Sequence, residues 1–274
     1  MGDPVEGGSA LTASRLPALF IGHGSPMNTF EVNRYTMAWR ELGATLPRPR
    51  AVLAISAHWF VPMTAVTAMA RPRSIHDFFG FPAELFAFDY PAPGSPEVAA
   101  EVAEVAGPTW VGLDADSWGL DHGTWSVLAH LFPEADVPVV QLSVHAGEPL
   151  AYHVDLGRRL APLRERGVLV VASGNVVHNL RLLDPSQVDA GADWAERFDG
   201  AVRQVMGSAP ASIGELERHA DYRLAAPTPD HFLPLAYLAG LADAAGQVAR
   251  TAVTGCALGS LSMTSFVLEG DGAG

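Results

Sequence analysis

Three hydrophobic runs in this sequence each lead into a histidine. The runs are "PALFIGHG", "AVLAISAHW" and "GVLVVASGNVVHN", and they place His23, His58 and His178 at or after their apolar ends. A continuous apolar run without alternation is typical of a strand that is covered on both faces, as in a parallel sheet. Ligands of open α/β sheets bind beyond the carboxyl ends of the strands. We therefore expect the three imidazoles to converge at one rim of a sheet.

Strand-like and helix-like segments alternate along the rest of the chain. Further strands are predicted at residues 64–70, 109–113, 137–144 and 249–258, and helices at residues 33–46, 95–106, 125–132, 149–165, 192–206, 213–219 and 231–245. Such alternation is typical of a layered α/β domain. No linker divides residues 16–268, which are predicted to form one domain. The flanking segments 1–15 and 269–274 are small, polar and acidic, and are predicted to be flexible tails.

The balance of charge restricts the partners of the protein. The 274 residues carry a formal net charge of −13, and 49% of them are hydrophobic. Nucleic acids and anionic membranes need a basic footprint and are not expected as partners. No apolar run reaches the length of a membrane span, and the first residues lack the basic and apolar regions of a secretory signal. The single cysteine, Cys256, excludes an intrachain disulfide. A cytoplasmic location is expected, although a secreted protein without disulfides would have the same composition.

Two further histidines lie at predicted helix starts. In "GLDHGTW", His122 is placed where free N–H groups favour anions. In "PTPDHFLPL", His231 is expected in the first turn of an apolar helix, with Thr228 as N-cap and Pro229 as the first helical residue. A capping role for His122 and a packed core position for His231 are the alternative interpretations. The remaining histidines outside the aromatic loop lack a partner motif and are expected in the core or at the surface: His130, His145, His153 and His219.

The motifs around these histidines resemble those of a known family. They follow one another from about residue 16 to residue 263 as "PALFIGHGSPMN", "SAHWF", "IHDFFGFP", "YPAPGSP", "WGLDHGTW", "ASGNVVHN", "TPDHFLPL" and "GSLSM". Together they are similar to the DOPA-extradiol-dioxygenase type of the class III extradiol ring-cleavage dioxygenases, the protocatechuate 4,5-dioxygenase-like superfamily. The resemblance implies a single catalytic α/β domain with a central, mostly parallel mixed sheet and helices on both faces. It also implies a metal site at the carboxyl-end rim of the strands.

The resemblance implies roles for individual histidines. His23, His58 and His231 correspond to the metal ligands, and the third of these is a glutamate in the protocatechuate relatives. His178 corresponds to the catalytic acid/base and is a candidate fourth metal ligand. His122 corresponds to a second catalytic histidine.

The residues before His178 are expected to support it. Ser173 and Gly174 would let the chain turn at the rim, and Asn175 or Asn179 would fix the imidazole by a hydrogen bond.

A substrate pocket is expected beside the metal. The loop over residues 70–94 is rich in proline, glycine and phenylalanine, and its rings must bury against something. A catechol at the rim needs dry walls with one or two polar contacts. The residues predicted to line this pocket are Ser25, Trp59, His76, Phe79 and Trp125, with Phe78 and Phe81 as further wall candidates. The alternatives are a loop that only seals the bottom of the sheet and aromatic rings in ordinary core packing.

The implied reaction inserts O2 into a small-molecule catechol and cleaves the ring bond beside the two hydroxyls. Fe(II) is the expected cofactor, because three neutral imidazoles on one face leave coordination positions open on the other. Zn(II) is expected to displace Fe(II) during purification, in line with the Irving–Williams order. A zinc-dependent hydrolase, in which a fourth histidine closes the site, and a metal-free binding protein of the same fold are the alternatives. The sequence predicts no particular catechol and no oligomeric state.

Overall fold

The three histidine-bearing runs are neighbouring parallel strands of an eight-stranded sheet. The computed structural model describes residues 14–271. Its strands are β1 Ala18–Gly22, β2 Ala51–Val61, β3 Ala65–Thr67, β4 Gly112–Asp114, β5 Val139–His145, β6 Val168–Gly174, β7 Arg250–Val253, β8 Cys256–Ala257, β9 Leu261–Ser262 and β10 Ser265–Leu268. The order in the large sheet is β4-β3-β5-β2-β6-β1-β10-β7, while β8 and β9 form a separate small ladder. Strands β5, β2, β6 and β1 are parallel. Strand β10 pairs antiparallel with both β1 and β7, and β3 pairs antiparallel with β5. The mostly parallel mixed sheet is therefore confirmed.

Helices cover both faces of the sheet, as expected. They are α1 Arg34–Thr45, α2 Ala83–Phe86, α3 Pro96–Val105, α4 His122–Leu131, α5 Leu150–Leu160, α6 Pro162–Glu165, α7 Asp193–Met206, α8 Tyr222–Ala225 and α9 Leu233–Ala245, with 3-10 helices at Pro26–Thr29, Leu180–Leu182 and Pro210–Arg218. One core joins the sheet to α3, α5, α7 and α9, and a second core joins the opposite face to α1 and α4. No helix within residues 14–271 is long and apolar enough to cross a membrane.

Strand β2 is longer than predicted, and His58 lies inside it. The pairing of β2 with β5 slips between Ile55 and Phe60, so that the residues between them form an irregular, bulged stretch. A bulge bends a strand and re-aims its side chains. His58 therefore reaches the rim from a distorted strand, and not from the loop beyond its end.

Two predicted helices begin at different residues. Helix α4 begins at His122, three residues earlier than predicted, because the Asp121 side chain accepts from the backbone N–H of Thr124 as N-cap. Helix α9 begins at Leu233 with Phe232 at its N-cap position. The expectation of His231 in the first helical turn is therefore wrong, and so are the N-cap and first-residue roles of Thr228 and Pro229.

Other differences are local. The predicted helix over 149–165 is divided where Pro162 begins α6, and the predicted helix over 213–219 is a 3-10 helix. The predicted strand over 249–258 is interrupted at Gly255, whose φ of 117° suits glycine, and β9 and β10 had no sequence prediction.

The predicted tails lie mostly outside the described residues, since 1–13 and 272–274 are not among them. At the boundary, the Arg15 guanidinium is 2.9 Å from the Asp271 carboxylate, and the Ser14 hydroxyl donates to the Asp271 carbonyl. The described chain ends are therefore bonded to each other.

Helices α5 and α9 touch through glycines. A Cβ added to Gly240 would lie 2.0 Å from the Val154 carbonyl oxygen, and one added to Gly157 would lie 2.4 Å from the Tyr237 carbonyl oxygen. Both obstacles are backbone atoms, which cannot rotate away. The crossing of α5 and α9 therefore depends on the absence of side chains at these two positions.

We predict that Gly240→Ala lowers the free energy of unfolding by about 1–3 kcal/mol or more, the range for overpacking a core. Gly200→Ala in α7 is the matched control, because its added Cβ would meet only the end of the Arg203 side chain at 3.7 Å. That substitution should raise stability slightly, by up to about 1 kcal/mol, through better helix propensity. Urea unfolding measures both changes, and equal stabilities for the two variants would contradict the packing argument.

Candidate metal centre

Five histidines from separate segments meet at the carboxyl-end rim of β1, β2 and β6. They are His23, His58, His122, His178 and His231. His23 follows β1, and its backbone N–H donates to the Gly174 carbonyl of β6 at 3.1 Å. His178 follows β6 by four residues and forms an isolated bridge with Leu261 of β9. His122 opens α4, and His231 precedes α9. The convergence expected from the strand ends is therefore present in the structure.

The closest approach joins His23 and His58, whose Nε2 atoms are 3.2 Å apart. One ring nitrogen from each of His23, His58 and His122 can be chosen so that all three lie within 4.8 Å of one another. Their separation suits a shared cation, because neutral imidazole is the commonest protein ligand of transition metals. The described residues thus contain a metal-capable site of three histidines.

His231 adjoins this triad. Its ring centroid is 4.9 Å from that of His58 and 5.3 Å from that of His23. Its Nε2 is buried and has no hydrogen-bond partner within residues 14–271. The tightest group of ring nitrogens therefore includes His122, whereas the resemblance names His231 as the third ligand.

Hydrogen bonds at Nδ1 set the tautomer of each ring. Ser173 Oγ donates to the Gly123 carbonyl, so at its 2.9 Å contact with His23 it accepts from Nδ1–H. Asp230 accepts from Nδ1 of His231, and Asp77 accepts from Nδ1 of His58 and of His122. With hydrogen on Nδ1, each Nε2 presents a lone pair. These lone pairs fit a divalent cation and would otherwise be left without hydrogen-bond donors.

Burial keeps most of the cluster uncharged. It lowers the pKa of His23 and His231 well below the ordinary value, and the neighbouring imidazoles lower it further. Burial and then His58 lower the pKa of His122. Burial also acts to lower the pKa of His58, but the bond to Asp77 opposes it and the net pKa is raised. Neutral imidazoles are the form that binds metal.

His178 differs from the others in its surroundings. Its ring stacks on His231 with centroids 3.4 Å apart and planes 5° apart. Its backbone N–H donates to the Ala225 carbonyl at 2.8 Å. Burial lowers the pKa of His178 to about 4, so the ring is neutral near pH 7.

The residues expected to support His178 have other roles. Ser173 and Gly174 belong to β6 and do not form a turn. Asn175 Nδ2 donates to the Ser262 carbonyl, and Asn179 Nδ2 donates to the Leu224 carbonyl. The predicted contact of an asparagine with the His178 imidazole is therefore wrong. Ser173 supports His23 instead.

The aromatic loop reaches the cluster through Phe78. The Phe78 ring lies 5.4 Å from that of His122, edge to face. His76 donates from Nε2 to the Phe88 carbonyl at 2.8 Å, and its ring is 5.7 Å from Trp125. Phe79, in contrast, is 91% exposed. In this structure Phe79 does not wall the site, although it was predicted to do so.

Of the other predicted pocket residues, Trp125 lies beside Phe78 and the cluster, whereas Trp59 and Ser25 line separate cavities. Trp125 is buried, donates to the Ile75 carbonyl and has its ring 6.2 Å from His122. Trp59 stacks on Trp118 at 5.8 Å and lines a surface groove in which no histidine of the cluster takes part. Ser25 caps the 3-10 helix after His23 and lines a separate cavity of about 460 Å³ with Leu261 and Met263.

Sequence reasoning missed the partners of the imidazoles. Asp77, Asp230 and Ser173 hold Nδ1 atoms, but none was predicted to do so. Asp230 precedes His231 and Asp77 follows His76 in the sequence, so a carboxylate next to a candidate histidine was the available signal. The contact between Ser173 and His23 depends on strand pairing and left no such signal.

Comparisons with known proteins agree with this geometry. The family "Catalytic LigB subunit of aromatic ring-opening dioxygenase" matches residues 17–266. The chain belongs to this family of class III extradiol ring-opening dioxygenases.

Individual relatives cover nearly all of the protein. A protein of Escherichia coli K12 named "4,5-DOPA dioxygenase extradiol" is 47% identical over 260 residues, which is 93% of this chain and 95% of that protein. A Beta vulgaris protein of the same name is 38% identical and covers 81% of this chain and 85% of its own length. A crystal structure of an uncharacterised Escherichia coli K12 protein superimposes with a TM-score of 0.81 at 43% identity, covering 93% of this chain and all of that one. These findings confirm an extradiol dioxygenase and give no support to a hydrolase or a metal-free binding protein.

We predict that His23→Ala and His231→Ala both lose the divalent metal, whereas His122→Ala retains most of it. The Nε2 of His231 is buried and has no hydrogen-bond partner within residues 14–271, so the cost of its burial is offset only when a cation binds there. Metal content after anaerobic reconstitution and desalting measures this, with His145→Gln, outside the cluster, as control. Loss of metal in His122→Ala but not in His231→Ala would show that the triad of tightest spacing is the ligand set.

Proposed function

We propose that the protein uses Fe(II) to cleave a DOPA-like catechol beside its two hydroxyls, with His23, His58 and His231 as the metal ligands. The observation that carries the proposal is the convergence of these three imidazoles, whose Nδ1 atoms are each held by a hydrogen bond. The proposal of a DOPA-like substrate rests on the name of the Escherichia coli relative, which is 47% identical to this chain.

His23, His58 and His231 would hold the metal, which would supply a Lewis-acidic centre for the catechol and O2. Imidazole ligands would leave the charge of the cation to be balanced by the catecholate. Zn(II) fits the same nitrogen donors and follows Fe(II) in the Irving–Williams order, so it is the contaminating metal expected after aerobic purification.

His178 takes a phenolic proton in this proposal. Its ring is neutral near pH 7 and stacks on the proposed ligand His231, which supports a role for His178 beside a bound metal. A general base must lie within hydrogen-bond reach of the proton that it accepts. The role of His178 as a fourth ligand is the alternative when no substrate is present.

His122 accepts and returns the second phenolic proton in this proposal. Its Nδ1–H is held by Asp77, so Nε2 can donate only after it has accepted a proton. The Asp77 carboxylate would stabilise the imidazolium that forms. In this scheme His122 accepts the second phenolic proton of the catechol at Nε2 and returns it to a substrate oxygen as the ring opens.

The substrate is enclosed from two directions. Phe78, backed by His76 and Trp125, presents an aromatic edge to His122. On the other side, the cavity that contains Ser25 reaches Leu261, the bridge partner of His178. We infer that the catechol ring lies against Phe78 and that its substituent extends toward the Ser25 cavity.

We predict that the anaerobically reconstituted Fe(II) protein consumes one O2 per catechol and forms a yellow ring-opened product, while the Zn(II) form does not. His178→Ala should keep its metal and lose ring cleavage by about 10²–10⁴-fold, the range for removing a general acid/base. Oxygen uptake, product absorbance and metal content are measured on the same samples. Equal metal loss in His178→Ala and His23→Ala would make His178 a ligand, and no O2 uptake with any catechol would refute the proposed reaction.

The aromatic loop generates a separate prediction. Phe78→Ala and His76→Ala should raise KM or change the preferred catechol while the bound metal is unchanged, because they remove a wall of the site. Phe79→Ala is the matched control, since this ring of the same loop is 91% exposed. Steady-state kinetics with several catechols measure the effect. Unaltered kinetics together with a lower melting temperature would show that the loop is only a structural cover.

A further inference from the structure

One carboxylate of the aromatic loop holds two imidazoles of the cluster. Asp77 Oδ2 is 2.8 Å from Nδ1 of His58, and Asp77 Oδ1 is 2.8 Å from Nδ1 of His122. Oδ1 also accepts from the backbone N–H of His122 at 3.2 Å. His23 and His231 each have a separate partner at Nδ1. Within residues 14–271, Asp77 is the residue that contacts both a proposed metal ligand, His58, and a proposed proton carrier, His122.

The nearby carboxylate of Asp121 does not substitute for this contact. Its oxygens accept from the Ser56 hydroxyl at 2.7 Å, from the Thr124 backbone N–H at 3.2 Å and from the Gln141 amide. It makes no hydrogen bond to an imidazole of the cluster within residues 14–271. Both oxygens of Asp121 accept hydrogen bonds from the N-terminus of α4 or from the sheet. The imidazoles of His58 and His122 therefore bond to Asp77.

The loop that carries Asp77 is bonded to α4 at several points. The Ile75 backbone N–H donates to the Leu120 carbonyl at 2.7 Å, and Trp125 Nε1 donates to the Ile75 carbonyl at 3.0 Å. Phe78, the residue after Asp77, packs its ring on His122. The carboxylate also lies at the N-terminus of α4, where a negative charge is favourable. The position of Asp77 is therefore fixed by the loop and not only by the two imidazoles.

A carboxylate at Nδ1 dictates what the opposite nitrogen does. An ionised carboxylate only accepts hydrogen bonds, so both Nδ1 atoms must carry hydrogen and both Nε2 atoms must present lone pairs. An amide in its place offers one acceptor and one donor group, and cannot hold both rings in this state. Partners of this kind orient metal-binding imidazoles and raise their basicity.

We propose that Asp77 is a positioning residue that sets the tautomer and orientation of His58 and His122 together. The inference rests on the proposed function for the roles of the two rings, but not for the contacts themselves. Through Asp77, the aromatic loop contributes to metal retention at His58 and to proton transfer at His122. The loop that walls the proposed catechol site therefore also orients the two imidazoles.

The test compares Asp77→Asn and Asp77→Glu with Asp89→Asn. Asp89 lies in the same loop, is exposed and accepts from the Ser74 hydroxyl at 2.7 Å, so its substitution removes a carboxylate without touching the cluster. Imidazole ¹⁵N NMR of the metal-free proteins reports the tautomers. Competition with a chelator reports Fe(II) affinity, and steady-state kinetics at saturating Fe(II) separate kcat from KM.

We expect Asp77→Asn to shift two imidazoles away from the Nδ1–H tautomer and to weaken Fe(II) binding by about 10–100-fold, the usual effect of removing a partner of a ligand. At saturating Fe(II), kcat should still fall while KM changes less, because His122 is misoriented as well. Asp77→Glu keeps a carboxylate, so it should keep the Nδ1–H tautomers and recover part of the Fe(II) affinity and of kcat. Asp89→Asn should match the unsubstituted protein.

Unchanged tautomers and unchanged metal affinity in Asp77→Asn would overturn the inference. A variant that loses its fold is recognised by its circular dichroism, and the decision then rests on Asp77→Glu, whose tautomers must match the unsubstituted protein. The NMR and chelator measurements need no catechol. A protein without ring-cleaving activity whose tautomers shift in Asp77→Asn would refute the proposed function and leave the positioning role intact.

Discussion

Parallel pairing of β6 with β1 on one side and with β2 on the other determines where every group of the site lies. In this register Gly22 is level with Gly174, and Ser56 is level with Ser173. His23 then leaves β1 beside the Ser173 hydroxyl, while β2 continues past Ser56 into the bulge that presents His58. A slip of one residue in either pairing would turn these side chains to the opposite face of the sheet. The two cores on either side of the sheet oppose such a slip, because each strand buries apolar residues on both faces.

The site combines burial with a hydrogen-bond partner for each Nδ1 that it fixes. Burial alone would leave ring nitrogens without partners, which is costly in a core. Carboxylates at Asp77 and Asp230 and the hydroxyl of Ser173 remove that cost on one side of the rings and direct Nε2 inward. The charged groups behind the imidazoles are carboxylates, so the site is locally acidic, as the whole protein is. A divalent cation therefore enters surroundings already prepared for positive charge.

The sequence predicted correctly those features that are determined within a single segment of the chain. The apolar runs predicted β1 and β6 closely, and a histidine after each run predicted the convergence at the rim. The bulge that places His58 inside β2 is a consequence of pairing with β5, and a local pattern cannot show it. Helix α4 begins three residues before the predicted start because its N-cap, Asp121, has its carboxylate held by the sheet residues Ser56 and Gln141. The exposure of Phe79 beside the packed Phe78 depends on how the loop lies over α4, which composition does not encode.

The glycine contact between α5 and α9 is connected to the rim through one helix. Helix α9 begins two residues after His231, and the bare backbone at Gly157 and Gly240 sets how closely this helix approaches α5. The chain segment that carries one imidazole of the site therefore leads directly into a helix whose packing depends on these two glycines. Because a cation that binds only the folded chain also stabilises it, helix packing and metal occupancy are thermodynamically linked. A protein depleted of its ion would be less stable. Its resistance to heat or protease would therefore report the metal occupancy of the site without any substrate.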